Sequence, residues 1–267
     1  MITTLKEKVL NGHSLTKEEA MHLSSAELSP LCEAADQIRR HFCGNAFDMC
    51  SIINGKSGRC PEDCKYCAQS AHYAANTTVY PLLSPEEILQ AAEANAANGI
   101  LRFSIVTSGK RLSDKEVEQV CDSFRKIQET CSISLCASMG LLTEKQFGML
   151  KSAGVVRYHN NLETSRRFFP KICTTHTYED KIQAIQDAQA AGLTVCSGGI
   201  IGLGETMEDR IDMALTLREL HIRSVPINVL NPIPGTPLEH NTPLKEEDVC
   251  RTAALFRFLL PDAILRM

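Results

Sequence analysis

The chain has 267 residues, 43% of them hydrophobic, and a formal net charge of −4. Such a length suits one barrel of alternating strands and helices, and the hydrophobic share supplies a sizeable core. The charge leaves no basic footprint for nucleic acid, no apolar run reaches the roughly 20 residues of a membrane span, and the opening MITTLKEKVLNG lacks the apolar centre of a signal peptide.

A soluble, cytoplasmic protein is therefore expected, with neither nucleic acid nor membrane as partner. The 12 cysteines then point to metal binding or redox chemistry, because cytosolic thiols stay reduced.

In chain order, the stretch from Ser14 to His41 reads as helix, since LTKEEA and LCEAADQIRR space their apolar residues by three and four, with Ser14 or Thr16 as cap. Strand-like runs follow: MCSIIN, LRFSIVT, SISLCAS, VVRYHN, LTVCSGG, SVPINVL and AILRM. Between most of them lie helical stretches such as SPEEILQAAEANAANG and TYEDKIQAIQDAQAAG, several ending in Gly, which suits a left-handed cap. Strand–helix alternation implies parallel strands with right-handed crossovers. The expected architecture is one domain, a TIM-like barrel over 46–267 preceded by a helical extension over 1–45.

Strand parity says what fills that barrel. Ser134, Cys136 and Ser138 share one face of their strand against Ile133 and Leu135. Arg157 and His159 oppose Val156 and Tyr158, Cys196 opposes Val195, and Asn228 opposes Ile227. The apolar face must meet the helices, so the polar face lines the lumen. A structural barrel fills its interior with branched aliphatic layers, and these strands do not. The lumen is expected to be a polar cavity that holds ligands.

Directly after the first strand, GRCPEDCKYCAQS carries Cys60, Cys64 and Cys67 spaced x3 and x2. Three thiolates on one loop suit three irons of a cubane cluster and leave the fourth iron without a protein ligand. The alternative is structural zinc, but such sites close with four ligands in paired short spacings, and no fourth Cys or His completes this loop. The loop also sits at the C-terminal end of a strand, where such barrels keep their active sites.

The x3, x2 spacing resembles the radical S-adenosylmethionine superfamily. Within it, CPEDCKYCAQS, YHNNLETS, CSGGIIGLGET and VPINVLNPIPGTPLE, in that order, resemble the biotin synthase family across nearly the whole chain. The resemblance implies a 4Fe-4S cluster on Cys60, Cys64 and Cys67 that binds S-adenosylmethionine and yields a 5′-deoxyadenosyl radical. It implies conversion of dethiobiotin to biotin with sulfur from an auxiliary iron–sulfur cluster. Flavodoxin or ferredoxin as electron donor, and a homodimer, come with it.

Residue by residue, the resemblance places Asn161 and Glu163 on the cofactor ribose, with Asn161 also near dethiobiotin. Tyr66 would pack near adenine, although plain core packing suits it too. Gly198, Gly202 and Glu205 match a G-x-I-x-G-x-x-E pattern whose backbone near Ile200 approaches adenine; a tight strand-to-helix turn is the plainer reading. Asn228 would meet the ureido ring as donor and acceptor, unless it is a satisfied buried amide. Lys181 stands where the family places Arg for the cofactor carboxylate. Cys136 and Cys196 match auxiliary-cluster ligands, and Arg266 matches an arginine ligand or neighbour of that cluster. Cys32, Cys121, Cys131, Cys173 and Cys250 are expected to be core.

Three departures stand out. His159 replaces an inward Asn and becomes a candidate for contact with substrate. Ser104 occupies the position of a third auxiliary-cluster Cys; serine is too hard a ligand to substitute directly, so Cys50, inward by parity, and Cys43, placed to reach the floor, are expected to take over. The auxiliary cluster is then either 2Fe-2S or a four-iron form. The family continues past Arg266, so the last barrel strand is expected to be lacking here. The competing functions are a hydrogenase maturase-like enzyme or mutase of the same barrel type, and a non-catalytic metal-binding protein.

Overall fold

The computed structural model describes residues 1–45 and 47–267. The N-terminal segment forms three helices rather than the one expected: α1 (Ile2–Leu10), α2 (Lys17–Ser24) and α3 (Leu28–Cys43). Thr16, not Ser14, is the cap; its hydroxyl accepts from Glu19 N while the Glu19 carboxylate accepts from Thr16 N. The same reciprocal box opens most of the helices that follow.

The expected alternation holds. β1 (Cys50–Lys56), α4 (Pro85–Ala97), β2 (Arg102–Thr107), α5 (Asp114–Thr130), β3 (Ser134–Ser138), α6 (Glu144–Ser152), β4 (Val155–His159), α7 (Tyr178–Ala190), β5 (Thr194–Cys196), β6 (Gly199–Ile201), α8 (Met207–Glu219), β7 (Ser224–Val229), α9 (Glu246–Leu259) and β8 (Ile264–Arg266) follow one another. Ser84 and Glu87, Ser113 and Glu116, Thr143 and Gln146, Thr177 and Asp180, and Thr206 and Asp209 form the boxes of α4 to α8. Each satisfies two backbone donors that the first helical turn leaves orphaned. These boxes make each strand end in a defined loop, so the C-terminal strand ends gather on one rim.

All paired strands are parallel, in the order β1-β2-β3-β4-β5-β7, with β6 and β8 also on β7. The expected LTVCSGG strand is interrupted. β5 meets β7 at Cys196↔Ser224 and β6 resumes at Gly199↔Ile227. Between them Pro226 has no N–H to give, and the two backbones close in: a Cβ on Gly198 would lie 1.9 Å from Pro226 O. Only glycine fits there. Among the described residues β1 pairs with β2 alone and β8 with β7 alone, so the barrel curls without closing.

Outward strand residues such as Phe103, Leu135, Tyr158 and Val225 pack with Phe124, Phe147, Leu217 and Phe256 of the helices. Val9, Leu23, Leu31 and Ile38 of the N-terminal helices belong to the same core, with α3 against α9 and α2 against α8. No described helix is long and apolar enough to cross a membrane.

Candidate active site

The lumen is polar, as parity requires. A cavity of about 420 Å³ is lined by alternate strand residues, among them Cys50, Ser104, Cys136, His159, Cys196 and Asn228. Arg157 and Arg266 also face it. Arg266 donates to Cys196 Sγ at 2.8 Å and to Ser224 Oγ at 2.7 Å, while His159 Nδ1 lies 3.3 Å from the same sulfur. A hydrogen bond with Cys136, together with the Arg266 guanidinium, lowers the Cys50 thiol to about 6. Its partner Cys136 is pushed up by that bond and by burial. Burial holds His159 down to about 4, so its imidazole is neutral near pH 7. Arg157, which the sequence marks only as inward, keeps Nε and Nη1 buried without hydrogen-bond partners. Three thiols and two guanidiniums thus share one partly buried volume, an environment in which positive charge favours thiolate.

A second cavity, of about 250 Å³, lies at the C-terminal rim, and Cys60, Cys64, Cys67, Glu163 and Lys181 line it. Ser138 lines both cavities, so the two adjoin. The cysteine loop is stitched by its own backbone: Cys60 N donates to Gln69 O, Cys67 N to Cys64 O, and Ala71 N to Cys60 O. Arg59 carries the positive φ of 49° that turns the chain into it. The three loop thiols do not converge within 4.8 Å of one another, whereas Cys64 does so with Cys173 and His176. Spread thiolates fit a cluster that gives each of them a different iron.

Glu163 sits at φ 70°, held there because its N–H donates to Gly198 O and its C=O accepts from Ile200 N. That backbone anchoring turns the carboxylate into the rim cavity, where Oε2 is buried without a partner. Next to it, Tyr66 and Ile200 pack against an apolar cluster of Phe168, Ile172, Leu203, Leu230 and Leu238. Burial and the Glu163 charge push the Tyr66 phenol up, so it stays protonated. An apolar shelf beside an unpaired carboxylate suits a flat base joined to a hydroxyl-bearing sugar.

Comparison with known proteins separates fold from family. Solved structures of methylornithine synthase (PylB) and of HydG, a maturase of the [FeFe]-hydrogenase, superpose with TM-scores of 0.86 and 0.85. They cover 98% and 99% of this chain and 78% and 62% of their own, each at 20% identity, and so share the fold. The Radical SAM superfamily profile matches residues 56–217, and that of the Biotin and Thiamin Synthesis associated domain matches residues 226–267. A biotin synthase of Akkermansia muciniphila is 59% identical over 267 residues, all of this chain and 83% of that protein. Another, of Clostridium botulinum strain Hall, is 56% identical over 266 residues, 100% of this chain and 84% of that protein. The chain belongs to the biotin synthase family.

Membership of the biotin synthase family brings radical S-adenosylmethionine chemistry, a 4Fe-4S cluster and an auxiliary iron–sulfur cluster. The residues fit these groups, with three soft thiols on the rim loop and three more in the lumen. Several residues lie elsewhere than the sequence implied. Cys43 is not brought to the lumen: its sulfur lies 3.2 Å from Arg257 Nη1 and against the carbonyls of Pro261 and Ala263. Glu205 Oε1 accepts from Gly202 N at 2.9 Å and from Arg210 Nε at 2.6 Å, while its Oε2 is buried without a partner. Asn161 Oδ1 accepts from Gly198 N at 3.1 Å, which fixes the glycine turn, and the side chain is not part of either cavity wall. Lys181 Nζ donates to Asn160 Oδ1 at 3.1 Å while facing the rim cavity.

Among the cysteines expected to be core, Cys250 is exposed and Cys173 lies against Cys64, 3.7 Å between sulfurs. A hydrogen bond from Cys64 and the nearby His176 hold Cys173 down to about 4. Nothing in the local pattern of KICTTHTYED marks that residue, because the contact spans 109 residues.

Proposed function

We propose that dethiobiotin binds in the lumen between the rim cavity and the sulfurs of Cys50, Cys136 and Cys196, and that these thiols hold the auxiliary cluster with Arg266 beside them. The observation that carries this reading is the shared wall at Ser138, which joins the rim cavity to the lumen. When bound, the rim cluster and S-adenosylmethionine supply the radical chemistry that removes hydrogen from unactivated carbon, and the auxiliary cluster supplies the sulfur.

The chain's own residues bind, orient and exclude water. Glu163 accepts from the ribose hydroxyls through its free oxygen, a charge-assisted bond. Tyr66 and Ile200 flank the base, and Gly198 and Gly202 let backbone approach it. Lys181 offers its ammonium to the cofactor carboxylate as a point charge rather than a fork. Asn228 makes only a long hydrogen bond, 3.4 Å, to Gly199 O, so its amide is available to a ureido ring. Neutral His159 stands over Cys196, at the boundary of substrate and cluster. Asn161 acts through Gly198, whose N–H it holds.

An acidic flavodoxin or ferredoxin as donor suits the surface groove of about 820 Å³ beside the cysteine loop, which Lys56, Arg59, Lys110 and Arg111 line. The homodimer rests on the family resemblance.

Anaerobic reconstitution followed by mass spectrometry with dethiobiotin and S-adenosylmethionine tests the reading. Biotin and 5′-deoxyadenosine are expected together; 5′-deoxyadenosine without biotin overturns it in favour of another radical enzyme. Asn228→Ala should weaken dethiobiotin binding roughly 2- to 10-fold, since Asn228 is exposed at the cavity wall and a hydrogen bond there is worth about 0.5–1.5 kcal/mol. An unchanged dissociation constant rules out the placement of the ureido ring.

A further inference from the structure

The rim loop has a second set of metal-ligating neighbours, which shares only Cys64 with the cluster. Cys64 Sγ, Cys173 Sγ and a ring nitrogen of His176 lie within 4.8 Å of one another. The sulfurs are 3.7 Å apart, and His176 Nε2, the ring nitrogen that Glu62 leaves free, is 3.9 Å from Cys173 Sγ. One tetrahedral ion with metal–sulfur bonds of about 2.3 Å separates two thiolates by ~3.8 Å and a thiolate from an imidazole nitrogen by ~3.5 Å. These two separations lie close to those around a single ion, and the third is within 4.8 Å. Cys173 and His176 are 3% and 7% exposed, so the pair is held in place rather than free to sample.

Two carboxylates attend the group. Asp63 Oδ1 lies 3.2 Å from Cys173 Sγ, and it is anchored by Thr174 N at 2.8 Å and Thr175 N at 3.2 Å. Glu62 meets His176 Nδ1 and accepts from Thr175 Oγ1 at 2.8 Å. Both add negative charge around a would-be cation, and both belong to the cysteine loop itself. Three protein ligands with a fourth position open are the pattern of sites that exchange ligands, unlike the closed four-ligand sites that only hold structure.

We propose that, before the cubane is in place, Cys64, Cys173 and His176 bind one thiolate-preferring divalent ion, Fe(II) in the assembling enzyme with Zn(II) as its competitor. Binding releases the Cys64 thiol proton to solvent. Because Cys64 also belongs to the cubane, single-ion and cluster-bound states exclude each other. The ion is held at the edge of the site it must enter, and zinc lodged there blocks loading.

The experiment uses the full chain stripped of iron and titrated anaerobically with Co(II), whose thiolate charge-transfer and tetrahedral ligand-field bands report sulfur ligation. With the lumen thiols removed in every arm of the titration by Cys50→Ala, Cys136→Ala and Cys196→Ala, one Co(II) per chain with these bands is expected in that background alone and with Cys60→Ala or Cys67→Ala added. The bands should vanish, or affinity fall at least tenfold, in Cys173→Ala and His176→Gln. Circular dichroism verifies that each variant is folded, and Cys173→Ser repeats the arm with a smaller change. Bands that survive in both Cys173 variants, or that are lost in Cys60→Ala and Cys67→Ala, overturn the proposal and place the ion on the loop cysteines. Zn(II) and Fe(II) are then added; displacement of Co(II) by either supports the site, and displacement by neither overturns it.

This titration stands apart from the cluster reading. A second arm rests on it: preloaded Zn(II) should slow cluster reconstitution in the wild type and not in Cys173→Ala. Equal slowing in both overturns the role in assembly even where the Co(II) site is present.

Discussion

Replacing any one of Cys60, Cys64 or Cys67 with alanine should abolish reductive cleavage of S-adenosylmethionine by the reconstituted protein. Each thiol lines the rim cavity together with Glu163 and Lys181, and the loop's own backbone bonds hold the three apart. Apart from these cysteines the loop offers only hard donors, such as Glu62, Asp63 and Gln69, which are poor ligands for iron–sulfur clusters. A missing thiolate therefore leaves one iron without a ligand from the loop, and the cubane becomes labile. Cys250→Ala, which removes an exposed thiol far from the loop in sequence, is the control and should cleave as the wild type does. Formation of 5′-deoxyadenosine is the measurement. Undiminished formation in all three loop variants would mean that the cluster is held elsewhere.

The next largest effect is expected at Cys50. The wild type, reconstituted with excess iron and sulfide, should carry roughly six to eight irons per chain, the sum of the rim cubane and an auxiliary two-iron or four-iron cluster. Cys50→Ala should fall to about four, the cubane alone. Cys50 is a plausible ligand on two independent grounds. It faces the same lumen as Cys136 and Cys196, and its thiol, lowered to about 6 by Cys136 and Arg266, is largely thiolate at neutral pH before any metal arrives. Ser104 of β2, level with Cys136 on β3 and with Ile52 on β1, supplies no sulfur. Arg266 and Arg157 offset the charge that three thiolates bring into a half-buried cavity. About four irons in both proteins would leave only the cubane and end the case for Cys50.

What the sequence by itself determined about this protein rests on short periods. Alternation at i and i+2 turned Cys136, His159, Cys196 and Asn228 inward, because a strand has no other way to bury one face. The cysteine loop was legible because its ligands sit within eight residues. Tertiary structure alone decided what depends on closing long loops. Cys173 and His176 reach Cys64 across more than a hundred residues, so a reading that finds no fourth Cys or His in the loop is true of the loop and silent about the space around it. Cys43, the last residue of α3, points to Arg257 and the carbonyls before β8 because α3 packs on α9, a choice made by apolar faces and not by the cysteine. Glu205 was read as a cofactor residue from its motif, yet the buried Arg210 one helical turn on claims its Oε1. A motif records which residues recur together; which of them face a ligand and which hold the turn is decided only when the neighbouring elements supply their partners.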